Sequence, residues 1–318
     1  MKRVLALVTM LLMLLSLAAC GPAEDKITIG ISQLLAHEAL DAATQGFKDA
    51  VIAGLGEENV EFLYNEAAGE SNTCVTIAND YVSKNVDLIL ANGTAALQAA
   101  ANATADIPVL GTSITDFGVA LQIEDFSGTV GGNVSGTSDL APLNEQAQMI
   151  LDLVPTAKTV GILYCSAEPN SAYQVKVVKE YLAGKGITVE EFAFSASSDV
   201  AQFAVAAAAK SDCIYIPTDN TAVSCAETIR GAVADTKVPI VTGDFGSCKI
   251  LGIATLSIDY YNIGKKAGEM AVRILNGEAD ISKMPVEYDA APAPQYNPTI
   301  CQELGITVPE HYVALDVE

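Results

Sequence analysis

The chain has 318 residues, half of them hydrophobic, and 39 acidic against 17 basic side chains leave a formal charge of −22. That length holds one or two domains with real cores, and so negative a field argues against nucleic acid and anionic lipid as partners. Two histidines and seven cysteines, without C-x-x-C, HExxH or G-x-S-x-G patterns, point to no metal cluster, nucleophile elbow or cofactor.

Taken in order, Lys2-Arg3, the apolar run 4–17 and Ala18-Ala19-Cys20 form a signal peptide over residues 1–20, short for a membrane span. Leu17-Ala18-Ala19-Cys20 resembles the bacterial lipobox, which implies acylation of Cys20 and a tether over 21–25. One acyl chain anchors only marginally, so a stable anchor needs two or more. The expected setting is extracytoplasmic, with the membrane reached through the lipid on Cys20. Cys74, Cys165, Cys213, Cys225, Cys248 and Cys301 are an even set, but they are spread over a chain that needs no staples. No bridge is assigned.

A strand is expected over 28–32 and a loop over 33–38, followed by a helix over 40–55 with Phe47, Val51 and Leu55 on one face. Strand 60–64, helix 72–85, strand 88–91, an Ala-rich helix over 95–105, strand 109–112 and loop 113–117 follow. Such alternation with short links argues for a parallel sheet covered on both faces. The four glycines of 128–139 break the rhythm and suggest a crossover that ends in a helix cap. A helix over 140–153 stops at Pro155, and the plan then repeats. Strands are expected over 159–164, 188–194, 213–216 and 239–242, with helices over 172–185, 199–210 and 222–234. A crossover strand over 254–258, an amphipathic helix over 260–276, a Pro-rich connection over 285–298 and a helix over 298–304 close the chain.

The repetition is visible in the residues. VDLILANGTA at 86–95 matches SDCIYIPTDNTA at 211–222, KITIGI at 26–31 matches KTVGI at 158–162, and IPVL at 107–110 matches VPIV at 238–241. The fold expected is α/β, with two similar doubly wound parallel-sheet lobes joined by a three-segment hinge. Residues 21–136 and 256–284 form one lobe, and 137–255 and 285–318 the other.

Ligands of open parallel sheets bind beyond the strand C-termini. The tips here are rich in hydroxyls and amides and nearly devoid of Lys and Arg. Asn92, Gly93 and Thr94 at a helix start suit a carboxylate, and Asp219 or Asp244 suits an ammonium. The same residue types also serve as helix caps and turn formers. Cys165 at a strand end is the one candidate nucleophile, without a motif around it.

The segments LDAATQGF (40–47), VDLIL (86–90), Thr115-Asp116, VSGTSD (134–139), EPNS (168–171), IPTDNT (216–221), Ala254-Thr255-Leu256 with Asp259-Tyr260-Tyr261, and ELGITVP (303–309) together carry a resemblance. The chain resembles the substrate-binding lipoproteins of ABC transporters with the type I periplasmic-binding-protein fold. More narrowly, it is similar to the subgroup associated with tryptophan and other aromatic amino acids. The resemblance implies a monomeric binder, not an enzyme, that closes on a small ligand and hands it to a permease driven by partner ATPase subunits. It maps ligand contacts to Gln33, His37, Asn92, Gly93, Thr94, Thr115, Asp116, Glu168, Asn170, Ser171, Asp219, Asn220 and Asp244. Phe245 stands where relatives often carry a second acid, and Cys165 where a small polar residue is usual; His37 or Phe245 is expected against the ligand's side chain, with capping of the second core the other role for Phe245. A sugar or nucleoside ligand, a signalling receptor and an extracytoplasmic hydrolase stay open, the last without motif support.

Overall fold

The computed structural model describes residues 26–290 and 292–317, so Cys20 and the expected signal peptide lie outside the described residues. The first sheet is built from β1 (Ile27–Gln33), β2 (Val60–Glu66), β3 (Leu88–Asn92), β4 (Val109–Ile114) and β5 (Val134–Ser138). These strands are parallel, in the order β5-β4-β3-β1-β2. The second sheet contains β6 (Thr159–Cys165), β7 (Thr188–Phe194), β8 (Cys213–Ile216), β9 (Ile240–Thr242) and β10 (Ala254–Thr255), parallel in the order β10-β9-β8-β6-β7. The two orders are the same permutation, so the repeat in sequence is a repeat in topology.

The aspartates of the repeated segments do the same job in each lobe. Asp87 Oδ2 accepts from the Thr28 N–H at 2.7 Å, holding the start of β1. Asp212 Oδ2 accepts from the Lys158 and Thr159 N–H groups at 2.8 and 2.9 Å, holding the start of β6. Those two donors lower the Asp212 pKa.

Helices α1 (Glu38–Leu55), α2 (Ser71–Ser83), α3 (Thr94–Ala103) and α4 (Phe117–Leu121) belong to the first lobe. Helices α5 (Leu143–Leu153), α6 (Pro169–Gly184), α7 (Val200–Lys210), α8 (Asn220–Ser224), α9 (Ala226–Val233) and α10 (Phe245–Ile250) belong to the second. Two helices change sides. α5 follows β5 of the first sheet yet packs Leu143, Ala147 and Ile150 into the second lobe with Val178 and Tyr215. α11 (Tyr260–Leu275) follows β10 of the second sheet yet packs Ala267, Met270 and Ala271 against Phe47, Val51, Leu88 and Leu90 of the first. A small apolar cluster, Ala39, Ala43, Ala141, Ile258, Tyr260 and Ile263, fills the space where these chains cross. The last helix, α12 (Pro298–Leu304), buries Cys301 in the second lobe.

Several expectations shift. Residues 134–138 are not a crossover but the fifth strand, β5. A Cβ on Gly136 would meet the Gly111 backbone across the β4–β5 pair, so that position admits only glycine, and a glycine in mid-strand hides the strand within a Gly-rich stretch. The crossing therefore comes after Ser138 rather than at 136. The third crossing also comes later than 284, because β11 (Glu287–Tyr288) still pairs with β5 before β12 (Gln295–Tyr296) pairs with β10 and β13 (Val313–Ala314) with β12. The helix expected over 222–234 is broken at Cys225, between α8 and α9.

α1 and α11 touch through backbone. A Cβ on Gly264 would meet the Ala43 carbonyl, one on Gly46 the Tyr261 carbonyl, and one on Gly268 the Phe47 oxygen at 2.6 Å. Backbone cannot swing aside as a side chain can. We expect Gly264→Ala to cost about 1–3 kcal/mol in urea unfolding, whereas Gly231→Ala in α9, with open space around it, gains roughly 0.5–1 kcal/mol. Equal effects at the two positions would refute the contact.

Candidate functional site

The C-terminal ends of the two sheets face each other across a cleft. On the first sheet, Gln33, Asn92 and Thr112 stand in register on β1, β3 and β4, and Thr137 on β5 donates to Thr112 Oγ1 at 3.0 Å. All four are buried. Gln33 Nε2 donates to Asp41 Oδ1 at 2.6 Å and to the Leu35 carbonyl at 2.9 Å, and its Oε1 accepts from Thr44 at 2.6 Å. Asn92 Nδ2 donates to the Leu40 carbonyl at 2.8 Å and to Thr44 Oγ1 at 3.0 Å, while its Oδ1 has no partner within the protein. The amides thus brace the first turn of α1 and orient the residue that begins it, His37.

His37 caps α1 through Nδ1, which accepts from the Leu40 N–H at 3.5 Å. The proton is then on Nε2, which lies 3.3 Å from Asn220 Oδ1 in the other lobe. Beside it Glu38 pairs with Lys249 at 2.7 Å, a second bond from α1 across the cleft.

The second lobe presents carboxylates. Asp219 caps α8, its Oδ1 accepting from the Ala222 N–H at 2.8 Å and its Oδ2 from the Cys165 N–H at 2.6 Å. Glu168 accepts at Oε1 from the Thr221 N–H and hydroxyl, and at Oε2 from the Asn220 N–H and from the Asn220 and Asn170 amides. EPNS and PTDNT therefore lock onto each other. Burial, with the neighbouring Glu168 charge, raises the Asp219 pKa. Asp244 caps α10 through Ser247 N–H and hydroxyl, and burial raises it too, tempered by Ser247 and then His37. Asp139, at the first crossing, accepts from Tyr260 OH at 2.8 Å and is likewise raised by burial. Among the described residues no ion pair involves Asp139, Glu168, Asp219 or Asp244.

A cavity of about 490 Å³ lies between the lobes, with Leu34, Leu35, Ser71 and Thr94 on one wall and Glu168, Asn170, Asn220 and Thr221 on the other. Gly93, at φ 101°, turns the chain into α3, which begins without a side-chain cap, as does α2 at Glu70. Uncapped helix starts offer N–H groups to an anion.

Of the residues singled out from sequence, Thr94, Cys165, Glu168, Asn170 and Asn220 line this cavity. Gln33, Asn92, Ser171 and Asp219 are buried supports behind it. Asp116 caps α4 through the Val119 N–H at 2.8 Å, and the Thr115 carbonyl accepts from Ser138 at 3.0 Å. Phe245 lines a different cavity, of about 550 Å³ on the hinge side, tilted against Tyr260 with ring centroids 6.4 Å apart and Lys249 Nζ 5.2 Å over its ring. Burial and then the Asp219 charge raise the Cys165 thiol pKa, which keeps it protonated rather than nucleophilic. Leu34 and Leu35 lie in the loop expected over 33–38, between Gln33 and His37, whereas Ser71 was missed because the loop after β2 carries no motif. Asp139 and Tyr260 do lie in segments that carried the resemblance, VSGTSD and Asp259-Tyr260-Tyr261.

Residues 28–317 match the family model described as ABC transporter substrate binding protein. The chain belongs to this family. A tyrosine-binding protein of Clostridioides difficile (strain R20291) is 36% identical over 263 residues, covering 81% of this chain and 75% of that one. A structure of an ABC domain in complex with L-Trp from Streptococcus pneumonia has a TM-score of 0.87 at 32% identity, covering 92% of this chain and 100% of the other. A ligand-free, open substrate-binding protein with adhesive properties from Clostridium difficile has a TM-score of 0.69 at 34% identity, covering 92% and 99%. At nearly equal identity the fit is closer to the L-Trp complex than to the open form. The two bonds from α1 across the cleft, His37 to Asn220 and Glu38 to Lys249, tie the lobes of this chain to each other.

Asp139, Asp219 and Asp244 all have folded pKa values above the ordinary carboxyl range. The folded protein then binds protons that the unfolded chain has lost, so these three groups contribute stability that is full below the ordinary carboxyl range and is lost as pH climbs through the raised values. The melting temperature is expected to decline from about pH 5 to about pH 8. Asp219→Asn, which keeps one acceptor for the cap, should flatten that decline; a melting temperature that rises over this range counts against the assignment.

Proposed function

We propose that this protein captures an aromatic or apolar amino acid as its zwitterion, outside the cytoplasm, and delivers it to an ABC permease whose ATPase partners drive import. The observation that carries this reading is the polarity of the cleft. Uncapped helix starts in the first lobe suit the carboxylate, and carboxyls with no cationic partner in or beside the second lobe suit the ammonium. The relatives named for tyrosine and solved with L-Trp support an aromatic side chain. Asn92, Gly93 and Thr94 serve the carboxylate end, with His37, Asn220 and Glu168 closing over the ligand.

The protein acts as a monomeric receptor rather than an enzyme: His37 is spent on a helix cap and a cross-lobe bond, and the Cys165 thiol is held protonated. Acylated Cys20 keeps it at the membrane.

Thermal unfolding of the mature protein against the amino acids, sugars and nucleosides tests this. L-tryptophan, L-tyrosine or L-phenylalanine at 100 times its dissociation constant should stabilise the fold by about 2.7 kcal/mol. A shift with sugars or nucleosides alone would remove the zwitterion reading and leave the family intact.

A further inference from the structure

Behind the His37–Asn220 bridge lies a second polar group, built where the chain crosses between lobes. Asp139 ends the β5 segment, its N–H bonded to the Ile114 carbonyl at 3.1 Å. Its Oδ2 accepts from Tyr260 OH at the start of α11. Its Oδ1 is buried and has no hydrogen-bond partner within the protein. The Thr115 side chain lies beside this carboxyl and offsets part of the cost of its burial. From the second lobe, Asp244 and the Thr218 hydroxyl approach the same Tyr260 phenol, and His37 faces Asp244. The group draws on both lobes and a crossing segment, and among the described residues no Lys or Arg forms an ion pair with either of its carboxyls.

A buried carboxylate with one oxygen unpaired is costly. Asp219 and Glu168 differ, since backbone or side-chain donors occupy both oxygens of each. Asp244 is held on both by Ser247. That leaves Asp139 Oδ1 as the carboxyl oxygen of this group still free to accept. A primary ammonium has three donors, and Asp139 Oδ1, with Thr115 beside the same carboxyl and Thr218 beside the Tyr260 phenol that holds it, supplies a group of acceptors from both lobes.

We propose that Asp139 is the anchor for the ligand's ammonium, with Tyr260 holding its other oxygen, so that the amine is read at the hinge and only when the lobes close. This rests on the amino-acid reading above. Burial raises the Asp139 pKa, and a cation beside Oδ1 would offset that cost. Because Asp139 and Tyr260 sit on two of the three crossing segments, the amine would tie ligand chemistry to lobe position.

Isothermal titration with L-tryptophan and with indolepropionate, which lacks only the amine, tests the assignment on the unmodified protein, Asp139→Asn and Tyr260→Phe. The unmodified protein should prefer tryptophan. Asp139→Asn should weaken tryptophan binding by about thirtyfold or more while leaving indolepropionate nearly unchanged. Tyr260→Phe, which keeps the carboxylate, should retain the preference for the amine. If Asp139→Asn weakens both ligands alike, or Tyr260→Phe abolishes the preference, Asp139 is a hinge strut and the proposal falls. Should Asp139→Asn not fold, Tyr260→Phe carries the test by the same criterion. If the unmodified protein binds other amino acids but shows no preference for the amine, Asp139 alone is misassigned. If it binds no amino acid at all, the amino-acid reading fails and this proposal with it.

Discussion

The backbone contact between α1 and α11 is the constraint on which the cleft depends. Gly46, Gly264 and Gly268 let the two helices approach until a Cβ on any of them would strike the other helix's backbone. At that separation neither helix can slide or rotate without breaking the contact. Both helices begin at the cleft. α1 opens with His37 and Glu38, which bond to Asn220 and Lys249 of the other lobe. α11 opens with Tyr260, which holds Asp139. The packing of one helix pair therefore positions both the cross-lobe bonds and the carboxyl at the first crossing.

The exchange of helices makes that constraint act on both lobes. α5 and α11 each leave the sheet they follow and pack on the other one, so neither lobe owns all of its own cover. Pulling the lobes apart wholesale would strip apolar surface from both cores, while a rotation about the crossings leaves those cores intact. The structure thus separates a stiff degree of freedom from a soft one. The soft one opens and closes the cleft.

Electrostatics divides the cleft by lobe. The second lobe satisfies the start of α8 with its own acids, as Glu168 and Asp219 take up the first N–H groups of that helix. The first lobe leaves the starts of α2 and α3 without side-chain caps. Capping is cheap to supply, since Ser, Thr, Asn or Asp at one position suffices, and α1, α4, α8, α10, α11 and α12 all have it. α6 of the second lobe also starts without one, at Glu168 on the opposite cavity wall, but there the Glu168 carboxylate itself disfavours an anion, which leaves the starts of α2 and α3 as the ones open to a carboxylate.

The sequence alone determined the two-lobed α/β plan, because strand and helix periodicities are local and the duplicated segments state the same strands twice. It left helix capping open as the other role for a strand-tip acid such as Asp219, and through quoted motifs it carried the resemblance to the family. It did not reveal β5, where Gly136 is required by close contact with the Gly111 backbone on a neighbouring strand rather than by strand propensity. Nor did it reveal that α5 and α11 trade lobes, since an amphipathic stripe does not name the surface it covers. The roles within the site were decided only by tertiary structure. Asp219 is an acid at a strand tip, as expected, but both its oxygens are taken by backbone groups from separate segments. Asp139 looked like the end of a crossover, and only the arrival of Tyr260 from residues far along the chain sets it apart. Which carboxyl is spent and which is free depends on donors distant in sequence, and those are brought together by packing.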